Sequence, residues 1–364
     1  MSHHGVLYAA AGFAIIILLA LSAFTWWFVG QVNVQVPTTP VAEAQTLQAA
    51  ANSFDSNDFE GALKTVDGLL SQTPDDVQAL ISKAYILAQQ ASLEHREQEL
   101  GNQALVYIDQ ALSSHPQNVQ ALTLKGYIYE IQQQYQKADA LYAQALTINP
   151  DFAYALAQYG HSLQLQGKSD QAQTQYEKAL AVEPTNPIAG LGMGKIDAYN
   201  KAYPDAINLF LGVATSTTNA RLKAEAYYSA SLVADAEGTN HLDEEASYVQ
   251  SALDADPSYP QTYVAMSRMA IAKAINATST SDKQGYMNES FYALDQALNL
   301  NPGLSIANLQ LATNLYLLER YSDAEHVITQ LPAIIAGDIS LSATEKTAMQ
   351  DAASSLAAQI QKNL

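Results

Sequence analysis

The chain has 364 residues with 17 basic and 36 acidic side chains, a formal charge of −19, and no cysteine. The missing cysteines exclude a disulfide framework, a thiolate nucleophile, a Cys-ligated zinc or iron–sulfur site and lipid attachment through cysteine. The charge argues against a nucleic-acid binder, whose phosphate contacts need clustered Lys and Arg.

Residues 1–42 contain no Asp, Glu, Lys or Arg, so the whole charge belongs to residues 43–364. Residues 6–30 are uncharged and built around the apolar run from Phe13 to Leu21. A helix crossing about 30 Å of hydrocarbon needs roughly 20 such residues, so the run is long enough to span a bilayer. Tyr8 and the Trp26-Trp27 pair would lie about 27 Å apart along that helix, the separation of two interfacial aromatic belts. A cleaved signal peptide is the competing reading, with Ala42-Glu43-Ala44 as a cleavage pattern. The run exceeds the usual length of such a segment and lacks basic residues before it, which favours a retained anchor. No Lys or Arg flanks the helix, and the first basic residue is Lys64. The short head, with its α-amino group, His3 and His4, favours the cytoplasm, leaving the body outside the cytoplasmic membrane. Ser2-His3-His4 could chelate Cu(II) or Ni(II) if Met1 were removed, but two histidines are few ligands and read better as polar head residues.

Residues 31–42 alternate polar and β-branched side chains around Pro37 and Pro40 and read as an extended linker. From residue 43 the texture becomes Ala-, Leu- and Gln-rich with helical periodicity. Pro116, Pro150 and Pro184 follow at intervals of 34. Ten residues after each stands Gly126, Gly160 or Gly194; twenty-two after each, Ala138, Ala172 or Ala206. Four residues beyond each of these alanines is an aromatic (Tyr142, Tyr176, Phe210), and five before each proline is Ala111, Ala145 or Ala179. Two antiparallel helices approach closely only across Gly or Ala, the aromatic would fill the gap beside the next pair, and the proline ends the second helix. This pattern resembles the tetratricopeptide repeat.

The resemblance implies an all-α, right-handed superhelix (an α-solenoid), and the apolar run over 6–30 sets one transmembrane helix before it. The expected organisation is an anchor over 1–30, a linker over 31–42, about eight repeats over 43–338 and a capping helix over 339–364. Pro74, Pro257 and Pro302 extend the pattern with longer spacings. Their extra residues fall in the helical stretch 91–98 and in loops expected at 237–240 and 276–281. Ser342 to Glu345 fits a capping box that starts the last helix.

Catalytic signatures are absent from the sequence. The seven histidines are scattered, and Gly190 to Gly194 lacks the Gly-Lys-Ser/Thr of a phosphate loop and reads as close helix packing. Glu244-Glu245 reads as a solvated helix face. No metal, cofactor, nucleic acid or small-molecule substrate is expected. In the family the first helix of each repeat lines a concave groove, which here would present Tyr85, Tyr127, Glu130, Tyr154, His161, Gln164 and Lys195 as exposed partner-binding positions. Tyrosines at such spacing serve equally as gap-filling core or as anchors for an extended peptide or partner helix. The resemblance implies a non-catalytic scaffold for a protein or peptide partner, and the apolar run implies contact with the lipid bilayer through residues 6–30. The anchored layout also looks like subunits that hold apocytochromes during c-type cytochrome maturation, and a self-associating structural subunit is a third possibility.

Overall fold

A computed structural model describes residues 41–364 apart from 56–57, 95, 238–241 and 339–340. The expected membrane helix at 6–30, His3 and His4, and the linker up to residue 40 lie outside the described residues. Among the described residues, no helix is long and apolar enough to cross a membrane. All regular structure among them is helical, and the chain divides into two compact units.

The first unit comprises the described residues up to Leu163 with 171–189 and 217–219. It is built on α1 (Val41–Asp55), α2 (Phe59–Gln72), α3 (Val77–Glu94), α4 (Glu97–Ser114), α5 (Val119–Ile131) and α6 (Tyr135–Ile148), with most of α7 (Ala153–Leu165) and α8 (Ser169–Val182). Neighbouring helices joined by so few residues fold back on one another as helical hairpins. Leu80 and Ile81 of α3, Ile108 of α4, and Leu124 and Ile128 of α5 form one buried cluster. Each such side chain contributes roughly 1.5–3 kcal/mol by leaving water.

The second unit comprises 164–170, 190–216 and 220–364. It holds most of α9 (Pro187–Tyr199), then α10 (Tyr203–Ser216), α11 (Ala220–Glu237), α12 (Leu242–Ala255), α13 (Pro260–Asn276), α14 (Thr280–Leu300), α15 (Ser305–Leu317), α16 (Tyr321–Gly337) and α17 (Ala343–Gln361). The capping box that opens α17 forms in full: the Ser342 amide donates to Glu345 Oε2 (2.8 Å) and the Glu345 amide to Ser342 Oγ (3.2 Å). Leu356 and Ile360 then bury against Leu315, Ile328 and Ile335, sealing the apolar end of the array.

Among the described residues, six prolines share one kind of turn. In each, the amide of the fourth residue donates to the carbonyl of the first: Asp76 to Thr73, Asn118 to His115, Phe152 to Asn149, Asn186 to Glu183, Tyr259 to Asp256 and Leu304 to Asn301. Pro74, Pro116, Pro150, Pro184, Pro257 and Pro302 occupy the second position, where a fixed φ near −65° suits a tight turn and no amide is required. The fourth position then does one of two jobs. Asp76, Asn118 and Asn186 cap the next helix, accepting from the amides of Ala79 (2.7 Å), Ala121 (2.9 Å) and Ala189 (3.0 Å). Phe152, Tyr259 and Leu304 instead bury an apolar side chain there.

The turn inside a hairpin has a different device. Gln133, Gly167, Lys201 and Glu319 have φ between 59° and 75°. Behind three of them the Gln134 amide reaches Tyr129 O (2.8 Å), Ala202 reaches Asp197 O (2.8 Å) and Arg320 reaches Leu315 O (3.0 Å). This six-to-one bond across a left-handed residue satisfies carbonyls that a helix end leaves open.

Glycine sets the spacing within a hairpin. A Cβ added at Gly126 would lie 2.7 Å from the Tyr142 ring, at Gly160 2.7 Å from Tyr176, and at Gly194 2.5 Å from Phe210. The expectation that the aromatic fills a gap beside the next pair is therefore corrected. Each ring lies on the glycine of its own hairpin, sixteen residues back along the chain. Ala138, Ala172 and Ala206 are fully buried beside the rings. Gly190 is excluded from side-chain growth by Val213, 2.6 Å from its would-be Cβ, as close packing requires.

Longer spacings lengthen helices more than loops. Both α3 and α4 have 18 residues, against 13 and 14 in α5 and α6. The loop expected over 276–281 shrinks to 277–279, because α13 runs through Asn276 and Ser279 Oγ caps α14 by accepting from the Asp282 amide (3.3 Å). The loop expected over 237–240 lies beyond the described residues after Glu237, which ends α11.

Substitution at two kinds of helical glycine separates packing from propensity. Gly126→Ala drives a methyl into the Tyr142 ring and should cost about 1–3 kcal/mol. Gly68→Ala, in mid-helix with nothing within 4 Å of the added atom, should stabilise by about 0.5–1 kcal/mol. Urea unfolding of both variants checks the opposite signs.

Candidate partner-binding face

Glu130 is the centre of a polar cluster in the first unit. It lies on α5 between Ile128 and Ile131 and is 2% exposed. An unpaired carboxylate at such depth would be costly, and this one has both oxygens engaged. Oε2 accepts from the Tyr142 hydroxyl of α6 (3.0 Å), and Oε1 lies 2.8 Å from His161 Nδ1 of α7. A carboxylate oxygen facing a ring nitrogen is satisfied by an N–H, which assigns the proton to Nδ1. The Tyr142 side chain thus serves twice: its ring covers Gly126 and its hydroxyl holds Glu130.

Two further tyrosines stand in the field of this carboxylate. Burial pushes the phenols of Tyr127, Tyr142 and Tyr154 above their ordinary range, and Glu130 adds to the shift in each. Tyr154 accepts from Gln158 Nε2 (3.1 Å), and the Tyr127 hydroxyl is hydrogen-bonded with Ser92. These phenols are neutral hydrogen-bonding groups fixed in position.

The structure brings four of the seven expected residues together: Tyr127, Glu130, Tyr154 and His161. Their expected exposure is corrected in part. Glu130 and Tyr154 are each 2% exposed, and Tyr85 is buried on α3 with its ring 5.4 Å from that of Phe54. Helical register alone assigns these three to the outside, but neighbouring helices close over them. Tyr127 is half-buried against the α3–α5 cluster, and the His161 side chain keeps 42% of its surface. Gln164, half-buried, and Lys195 belong to the second unit. There Glu225 stands 3.0 Å from Lys195 Nζ and holds the ammonium above its usual range.

The second unit has buried polar groups of its own. Ser267, Ser290 and Asn314 are fully buried, with the two Oγ atoms 2.6 Å apart and Asn314 Nδ2 donating to Ser290 Oγ (2.8 Å). These partners lie 23 and 24 residues apart on different helices, a separation that carries no motif. Glu245 is corrected from a solvated position to a buried one: its Oε1 faces Arg268 Nη2 at 3.5 Å, and burial raises its carboxyl. Glu244 beside it is exposed.

Family models of the tetratricopeptide repeat match residues 119–152 and 141–174, the segment that contains α5 to α7 and the start of α8. Residues 119–174 carry tetratricopeptide repeats. Repeats of this kind are protein-interaction scaffolds, and the family is generally non-catalytic. Among solved structures, the APC/C hetero-tetramer Cut9–Hcn1 is similar at a TM-score of 0.61 and 16% identity, over 86% of this chain and 55% of that one. The human IFIT1 dimer with m7Gppp-AAAA follows at 0.54 and 13%, over 84% of this chain and 70% of that one. A tetratricopeptide-repeat protein from Parabacteroides merdae gives 0.49 and 16%, over 75% and 98%. At these identities the likeness is one of fold. No curated protein matches the sequence.

Two measurements test the electrostatics. In a double-mutant cycle, Tyr142→Phe and Glu130→Gln should be non-additive by about 1 kcal/mol or more in unfolding free energy, since they share one buried hydrogen bond. Additive effects would place the hydroxyl and carboxylate apart. The second concerns Glu183, whose carboxyl is raised to about 7 by partial burial against an opposing hydrogen bond from Asn186 Nδ2 (2.9 Å). Between its unperturbed 4.5 and about 7 the folded chain holds the extra proton, so this group's contribution to stability falls as pH rises through that window. Glu183→Gln should therefore raise the urea midpoint at pH 8 relative to wild type, with a smaller difference at pH 5.

Proposed function

We propose that the chain is a non-catalytic scaffold, anchored in the cytoplasmic membrane by residues 6–30, whose body lies outside the cytoplasm and holds a protein or peptide partner. Within the first unit the partner lies along the first helices of the repeats. The observation that carries this reading is the bond that holds His161 to the buried Glu130 carboxylate, with the phenols of Tyr127 and Tyr154 in the field of that carboxylate. Half-buried Tyr127 and His161 present an aromatic edge and an imidazole whose positions are set before any partner arrives. Preorganised side chains lose little entropy on binding, which suits contacts that dominate an interface.

Charge narrows the partner's chemistry. The body carries the full −19, and Lys83 and Lys125 are each paired with a carboxylate of the preceding helix, Asp67 and Asp109. Such a surface favours neutral or basic partners and discourages self-association. The human IFIT1 structure contains a capped RNA segment, but the acidity of this chain argues against carrying a nucleic-acid ligand over to it.

Both halves of the proposal have a test. Deleting residues 1–30 should release a folded body from membranes, whereas a mature chain beginning near Gln45 would show cleavage and remove the anchor. Tyr127→Phe combined with His161→Gln should weaken partner capture, measured by cross-linking to the full chain, by about tenfold, equivalent to about 1.4 kcal/mol. Undiminished capture, together with its loss on substituting the second helices of the repeats, would move the binding face elsewhere.

A further inference from the structure

The sequence contains two Asn-X-Ser/Thr triplets, Asn276-Ala277-Thr278 and Asn288-Glu289-Ser290. Acceptors of N-linked glycans carry this triplet on a surface loop, where an enzyme can reach both the amide and the hydroxyl two residues on. The structure treats the two triplets differently. Asn276 is exposed and ends α13, Ala277 after it is extended (φ −70°, ψ 132°), and Thr278 is exposed in the three-residue link to α14. Ser279 is extended as well (φ −89°, ψ 134°). The Asn276 amide nitrogen makes a solvent-exposed donation to Ala272 O (2.9 Å) at the frayable end of the helix. Asn288, in contrast, lies inside α14, and Ser290 is fully buried with its Oγ 2.6 Å from Ser267 and 2.8 Å from Asn314 Nδ2. The second triplet cannot offer its hydroxyl without opening the α13–α14–α15 core.

We propose that Asn276 is an N-glycosylation acceptor and that Asn288 is not. The inference rests on the reading that the body lies outside the cytoplasm, where lipid-linked sugars are transferred. In the reaction the Asn276 Nδ2 attacks the anomeric carbon of a lipid diphosphate-linked oligosaccharide. The new C–N bond replaces the bond from that carbon to the diphosphate oxygen. The lipid diphosphate leaves, the amide gives up one proton, and nothing is oxidised or reduced. Ile275, 67% exposed beside the acceptor, gives the glycan an apolar patch to cover.

The test uses the full chain. Purified protein is incubated with an oligosaccharyltransferase and its lipid diphosphate-linked oligosaccharide, then measured by intact mass and peptide mapping. One glycan at Asn276 is expected, lost in Asn276→Gln and in Thr278→Ala and retained in Asn288→Gln. No transfer, or transfer at Asn288, overturns the assignment. Protein recovered from its own membranes is mapped in parallel with digestion of intact cells by external protease. A body cut from outside but unmodified at Asn276 overturns this inference and leaves the location standing. A body protected from the protease overturns the location and, with it, modification in the cell.

Discussion

Two helices can close on each other only as far as the side chains between them allow, and here that limit is set by rings lying on glycines. Gly126, Gly160 and Gly194 have no room for a methyl group because Tyr142, Tyr176 and Phe210 occupy it. Interiors pack near crystalline density, so this spacing holds the remaining side chains of each hairpin in register. In the hairpin of α5 and α6 the same ring extends the constraint to polar chemistry. Tyr142 is fixed against Gly126, its hydroxyl fixes Glu130, and Glu130 fixes His161 on the following helix. The partner-facing side chains of the proposed scaffold are thus positioned by a packing contact within the repeat.

How much of this is legible in the sequence depends on the reach of each constraint. The proline turns are local: a fixed φ and a missing amide act within four residues, so the interval of 34 announces them. The capping box at Ser342 and Glu345 is equally local. The glycine and the aromatic are also visible, but their pairing is ambiguous, because in a periodic chain a ring lies at a regular spacing from the glycines on both sides. The sequence pattern assigns the ring to the next pair, and the geometry returns it to its own. The left-handed turns are harder to see. Only Gly167 among the four is a glycine, and Gln133, Lys201 and Glu319 adopt positive φ because the bonds behind them compensate for the strain.

The candidate face is the least legible part. Glu130 and Glu245 look like surface charges in an acidic protein, yet both are buried, because their partners lie on other helices. Tyr142 is 12 residues from Glu130, His161 is 31, and Arg268 is 23 from Glu245. Nothing local marks such pairs, since burial of a charge is decided by what the fold sets opposite it. Tyr127 and His161 each follow a packing glycine, Gly126 and Gly160, and that shared register cannot tell that one leans on the core while the other reaches a carboxylate.

The link from packing to face passes through a single bond, that between the Glu130 carboxylate and His161 Nδ1. Nitrogen-15 NMR of the histidine rings tests it most directly. The account predicts a protonated Nδ1 on His161 with a proton resonance shifted far downfield by the carboxylate, and loss of that signal in Glu130→Gln. An imidazole exchanging freely between tautomers, or one whose spectrum is the same in both proteins, would contradict it.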